Sequence, residues 1–149
     1  MAYNPLQSLR VMVVEDQDVA QAMLARVLKT MGVEQIVTAA NGVEALNVLE
    51  NAEPMVDLVI CDINMPEMDG YEFVRRVRLG AVQGYQEVPI LMLTGDDSDA
   101  NVQSAKVHKV DSFIVKPANA DTLRNQMLHA LGLQLLSEQR PHGGAVRRF

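Results

Sequence analysis

Cysteine is nearly absent from this chain. Cys61 stands alone among 149 residues. No intramolecular disulfide can form, and a structural zinc site drawing on two or more cysteines is excluded. That usage fits a reducing compartment. Long apolar runs are missing too, and none approaches the ~20 residues a helix needs to cross a bilayer. The start, MAYNPLQSLR, lacks a basic stretch followed by an apolar one, so it does not read as a secretory signal. Positive charge is in short supply: 13 Lys and Arg face 19 Asp and Glu, a formal net charge of −6. Broad, non-specific binding to nucleic acid rests on neutralising phosphates with Lys and Arg, so the balance argues against it. A cytoplasmic location is expected, with no direct nucleic-acid partner and no membrane partner.

What is present describes an ordinary globular domain. Hydrophobic residues make up 48% and charged residues 21%, both near the soluble average. A chain of this length buries roughly 68–70% of its unfolded surface, enough for one core. Short apolar runs alternate with helical patterns. Val11-Met12-Val13-Val14 is followed by Ala20, Met23, Leu24, Val27, Leu28 and Met31 at helical spacing, with Gly32 as a stop signal. Ile36 to Ala39 reads as a second strand, and Val43, Leu46 and Leu49 mark a short helix face. Leu58 to Cys61 is a third strand, and Phe73, Val74 and Val77 point inward from the helix after Gly70. A loop spans 80–88. Ile90 to Leu93 is a fourth strand, followed by a polar helix over 98–109. Ser112 to Val115 is a fifth strand, and a last helix from about Asn119 carries Leu123, Met127 and Leu131.

Five such units in a row imply an α/β fold: a doubly wound parallel sheet with helices on both faces. Several strands are apolar throughout, as expected when both faces are covered. The domain is read as 9–132, with an N-terminal extension over 1–8 and a flexible tail over 133–149.

The polar residues fall at particular places. Glu15-Asp16, Asp62, Thr94 and Lys116 each close an apolar strand. In an open parallel sheet those ends share one edge, where ligands bind at the reversal of strand order. Taken singly, each has a bland reading as a helix cap, a solvated turn or a surface lysine. Four together are harder to dismiss. Two unit charges 4 Å apart repel by about 4 kcal/mol at an effective dielectric of 20. Three carboxylates therefore call for a cation, and oxygen-only ligands point to Mg2+ rather than zinc. Such a site, with Lys116 and the Thr94 hydroxyl, suits an incoming phosphoryl group. A carboxylate there can serve as the nucleophile.

The stretch DINMPEMDG at 62–70 resembles the phosphoacceptor segment of response-regulator receiver domains. VVED at 13–16, MLTGD at 92–96 and FIVKP at 113–117 resemble that family's other motifs, in its order and spacing. The likeness covers about 9–131 and is to a stand-alone receiver of the chemotaxis-regulator kind. It implies a flavodoxin-like (βα)5 fold with strand order 2-1-3-4-5. It implies that Asp62 accepts phosphate, with Asp62, Thr94 and Lys116 carrying the chemistry. Glu15, Asp16 and Asp62 would hold Mg2+ with the Asn64 carbonyl. Thr94 and Phe113 would form the switch, Asn64 and Asp96 would tune the phosphate's lifetime, and the Lys116-Pro117 bond would be cis. This chain departs from the family in having Lys109-Val110 where Gly-Ala is common, and Phe113 where Tyr is.

The resemblance implies a sensor histidine kinase or a histidine phosphotransfer protein as donor, and a downstream protein target. The output surface would join the helix at 98–109, the fifth strand and the last helix, with Lys106, Lys109, Asp111 and Arg124 on it. A monomer or a weak phosphorylation-dependent dimer is expected. The protein would catalyse only its own phosphorylation and dephosphorylation. About 18 residues follow Leu131, too few for a DNA-binding output unit, so a stand-alone receiver, or one cut from a longer protein, is expected. Two alternatives stay open: a relay intermediate passing phosphate to a histidine domain, and an Mg2+-dependent phosphohydrolase. Against the second, Asn64 stands where that chemistry wants an acid.

Overall fold

The computed structural model describes residues 4–95, 109–116 and 118–132. Five parallel strands form one sheet: β1 (Arg10–Val14), β2 (Gln35–Ala39), β3 (Leu58–Asp62), β4 (Ile90–Thr94) and β5 (Ser112–Val115). Their order is β2-β1-β3-β4-β5, as expected. The order reverses beside β1, which pairs with both β2 and β3.

Four helices are described: α1 (Asp18–Thr30), α2 (Gly42–Asn51), α3 (Gly70–Arg78) and α4 (Ala120–Ala130). The polar helix expected over 98–109 lies outside the described residues except for Lys109. The tail over 133–149 lies outside them altogether.

Strand periodicity splits the core in two. Met12, Val14, Val59, Cys61, Ile90 and Met92 belong to one cluster, which also takes in Ala45 and Leu49 of α2 and Phe73, Val74 and Val77 of α3. Val11, Val13, Leu58, Ile60, Leu91, Leu93 and Ile114 alternate with them. They pack with Leu24 and Leu28 of α1 and Leu123, Met127 and Leu128 of α4. The central strands β1, β3 and β4 are buried on both faces because each face carries its own helices.

The helix starts follow from their caps. Asn41, Asp69 and Asn119 each accept a hydrogen bond from the backbone N–H three residues on, at 2.8–2.9 Å. Replacing such a cap with Ala costs about 1 kcal/mol. Gly32 does end α1, at φ 95°. A side chain there would also run into the Asn4 amide, which donates to the Met31 carbonyl at 3.1 Å.

Three details differ from expectation. Met23 and Val43, placed on the inward faces, are exposed by 63% and 50%. Only Leu24 and Leu28 of α1, and Gly42, Ala45 and Leu49 of α2, are buried. The apolar stripe of each helix is wider than its contact with the sheet. Leu6, in the expected N-terminal extension, is fully buried in the α1–α4 cluster.

The Lys109-Val110 departure has a local solution. Lys109 adopts a left-handed backbone, φ 59°, a conformation glycine takes at no steric cost. Val110 is fully buried. The Lys109 carbonyl accepts from Arg78 Nε at 3.1 Å. Arg78 also donates to the Gln86 and Val88 carbonyls at 3.0 and 2.8 Å and pairs with Asp111 at 3.5 Å.

Candidate functional site

The carboxyl ends of β1, β3, β4 and β5 meet at one edge. Glu15 and Asp16 follow β1, Asp62 closes β3, Thr94 closes β4, and Lys116 follows β5. Glu15, Asp62 and Thr94 are buried, to 2%, 5% and 3% relative exposure. Polar side chains buried this deeply require partners.

Strand parity sorts these residues. Asp62 follows Leu58 and Ile60 on the α1–α4 side of the sheet. Carried one residue beyond their strands, Glu15 after Val13 and Lys116 after Ile114 fall on the same side. Thr94 follows Ile90 and Met92 on the opposite side. Phe113 stands opposite Met92 in register and packs, half-buried, against that same cluster. The nucleophile candidate and its cation thus share one face, and the two switch candidates share the other.

Lys116 Nζ donates to Asp62 Oδ2 at 3.0 Å and to Glu15 Oε1 at 3.3 Å. Its backbone N–H donates to the Thr94 carbonyl at 2.7 Å. The carboxylate oxygens of Glu15, Asp16 and Asp62 lie within 4.8 Å of one another. Burial pushes the Glu15 carboxyl up from its ordinary value. The Gln17 N–H pulls it back, the Asp62 charge raises it, and Lys116 lowers it. For Lys116, burial favours the neutral amine, but the hydrogen bond and charge of Asp62, followed by Glu15, outweigh it and raise its pKa. Lys116 pairs with two of the three carboxylates, which leaves unbalanced negative charge beside a cleft. That cleft holds about 320 Å³ and is lined by Glu15, Asp16, Gln17, Ala20, Asp62, Asn64, Gly95 and Lys116. The donor set is all oxygen, which fits a hard divalent cation such as Mg2+.

Asn64 is exposed at the cleft, its N–H 3.4 Å from Asp62 Oδ1. Gly95 also lines it, with nothing within 4 Å of where a Cβ would stand. Asp96, Lys106 and Pro117 lie outside the described residues. Arg124 is half-buried and Lys109 exposed. Asp111 is committed to the fold: its carboxylate accepts from the Ile90 N–H at 2.8 Å as well as meeting Arg78.

Sequence reasoning missed two residues that shape the site. Gly70 opens α3, and its N–H donates to the Ile63 carbonyl at 2.7 Å. A Cβ there would collide with the Asp62 carbonyl and stand 2.7 Å from Met92 Cε and 2.9 Å from Ile63 Cα. A glycine at the first helical position, where no turn requires one, was the available signal. Gln21 donates to the carbonyls of Glu15 and Ala39 at 3.0 and 3.3 Å. Nothing local marks it.

A family model for the response regulator receiver domain matches residues 11–128. The chain belongs to the response regulator receiver family. Over 124 residues this receiver is 34% identical to the chemotaxis protein CheY homolog of Campylobacter jejuni, an alignment covering 83% of this chain and 93% of that one. Its structure is similar to that of the chemotaxis protein CheY4 of Vibrio cholerae, with a TM-score of 0.74 and 36% identity over 83% and 98% of the two chains. It is also similar to the receiver domain of the Arabidopsis thaliana histidine kinase CKI1, solved with Mg2+ and BeF3−. That match has a TM-score of 0.69 and 28% identity over 82% and 91%. As a receiver of the CheY and response-regulator type, the chain is a signalling protein of two-component systems rather than a conventional enzyme. Among the described residues, no helix is long and apolar enough to cross a membrane.

Proposed function

We propose that this cytoplasmic receiver takes a phosphoryl group onto Asp62 from a phosphohistidine donor and uses it to change a protein-binding surface. One observation carries the reading. Lys116 reaches Asp62 and Glu15 from the end of β5 across β4, in an all-oxygen cluster that lines a surface cleft.

Glu15, Asp16 and Asp62, with the Asn64 backbone carbonyl, would hold Mg2+. Bound there, the ion offsets the carboxylate charge and draws negative charge off the phosphoryl oxygens. The CKI1 receiver carries Mg2+ and BeF3−, in support of that choice. In the transfer, a carboxylate oxygen of Asp62 attacks phosphorus. The P–N bond to the donor's imidazole breaks, and its electron pair leaves with the ring, which then takes up a proton. Lys116 stands where it can pair with the peripheral oxygens. Water then attacks phosphorus, the P–O bond to Asp62 breaks, inorganic phosphate leaves and the carboxylate is restored. The family resemblance assigns the tuning of that rate to Asn64 and Asp96. The chain would thus catalyse only its own phosphorylation and dephosphorylation.

The signal follows as a population shift. Thr94 turns toward the new oxygens, and Phe113 turns further into the cluster it already touches. The surface carried by β5 and α4 changes with it. A bias of ~5.5 kcal/mol moves a 1:99 equilibrium to 99:1, so the phosphoryl group need favour the active state by no more than that. The donor is a sensor histidine kinase or a histidine phosphotransfer protein. An apolar groove of about 260 Å³ lies next to the site, with Met23, Leu24 and Val27 of α1 on its wall, and offers such a donor a foothold.

The test is uptake of one phosphate from acetyl phosphate, dependent on Mg2+. Passage of that phosphate onto a histidine phosphotransfer domain would make the protein a relay carrier. Retention until hydrolysis would make it a binding switch.

A further inference from the structure

We propose that Gln21 is the positioning residue of the acidic pair, setting the affinity of the Glu15–Asp16–Asp62 cluster for a divalent cation. The inference rests on the function proposed above and assigns a part of that site to α1.

β1 ends at Val14, and α1 begins at Asp18. Between them Glu15 and Asp16 sit on neither ladder nor helix, yet their carboxylates must converge with Asp62 from another strand. Glu15 N–H still donates to the Ala39 carbonyl, at 3.0 Å. The Glu15 carbonyl lies past the end of the ladder and needs a donor from elsewhere. Gln21 supplies it. From the second turn of α1 its Nε2 reaches the Glu15 carbonyl at 3.0 Å and the Ala39 carbonyl at 3.3 Å. One carboxamide nitrogen carries two hydrogens, and here they meet two acceptors on adjacent strands.

The result is a closed loop of contacts. β1 holds β2 through Glu15 N–H, and α1 holds both through Gln21. The Glu15 carboxylate accepts from the Gln17 N–H at 3.2 Å. Gln17 in turn begins α1's own ladder, its carbonyl accepting from the Gln21 N–H at 2.8 Å. The backbone from which both acids project is thereby tied at each end. Groups that orient metal ligands without touching the metal commonly change affinity by 10–100-fold when removed.

The test compares Gln21→Met, which keeps length and helix preference but has no donor, with Gln21→Lys, which restores a donor. Mg2+ affinity is read by titration calorimetry on the unphosphorylated protein. The half-saturating Mg2+ for phosphorylation by acetyl phosphate is read separately from the rate at saturating Mg2+. The expected result is about a tenfold loss of Mg2+ affinity in the Met variant, with its rate at saturation within about twofold of wild type and partial recovery in the Lys variant. An unchanged Mg2+ affinity in a folded Met variant overturns the proposal. So does a Met variant that fails to fold, because Gln21 would then serve stability rather than the site. If wild type itself takes up no phosphate, the phosphoacceptor reading fails instead, whatever the calorimetry gives.

Discussion

Lys116 Nζ lies 3.0 Å from Asp62 Oδ2, although the two residues stand on strands separated by β4. The contact spans 54 positions of sequence, and the same ammonium holds Glu15. It therefore competes with any cation for oxygens of the acidic cluster. Lys116→Met should bind Mg2+ at least as tightly as wild type. Its phosphorylation by acetyl phosphate should slow on the order of 100-fold, as when a preorganised charge partner is lost. Calorimetry and a mass-spectrometric time course check the two halves. Weaker Mg2+ binding would show that Lys116 organises the carboxylates rather than competing for them.

Gly70 packs where a side chain has no room. In Gly70→Ala the new Cβ meets the backbone at Asp62 and Ile63, neither of which is a flexible side-chain end. Overpacking of this kind typically costs about 1–3 kcal/mol. Urea unfolding should show a loss in that range. Phosphorylation should slow even below the unfolding transition, because the displaced segment carries the acceptor. Normal kinetics in the folded variant would mean that the loop relaxes away from the site.

Leu6 separates stability from chemistry. It is fully buried in the α1–α4 cluster and lines no part of the cleft around Asp62. Leu6→Ala should cost about 2–5 kcal/mol, read as a lower urea midpoint, with an unchanged phosphorylation rate per folded molecule. A cost below 1 kcal/mol would place residues 4–8 outside the cooperative unit.

Cys61 should be inert. Burial, then the charges of Asp62 and Glu15, push its thiol well above the ordinary range, and nucleophilicity belongs to the thiolate. An aromatic disulfide reagent at about pH 8 should report no thiol in the native protein and one after unfolding in urea. Rapid native labelling would reveal opening of β3.

The strand ends were legible because apolar runs closed by a single polar residue advertise themselves. Glu15, Asp62 and Lys116 converge in direct contact, and Thr94 closes the strand between β3 and β5. The order of the strands came from family resemblance, since nothing in β2 or β5 alone says which neighbour it takes. Gln21, Arg78 and Leu6 were not legible. Gln21 and Arg78 act through side chain–carbonyl contacts, which leave no periodicity, and Leu6 packs on helices that follow it in the chain. Met23 and Val43 fit the helical spacing yet lie outside, because spacing defines a stripe and only packing decides how much of it is covered. Lys109 takes a left-handed backbone where the family often has glycine, at some conformational cost.

The central claim is that Asp62 accepts phosphate, and intact-mass analysis after incubation with acetyl phosphate and Mg2+ tests it most directly. Wild type should gain the mass of one phosphate, lose it on removal of the donor, and gain none when Mg2+ is chelated, while Asp62→Asn should gain none under any condition. No gain in wild type, or an equal gain in Asp62→Asn, would contradict the account.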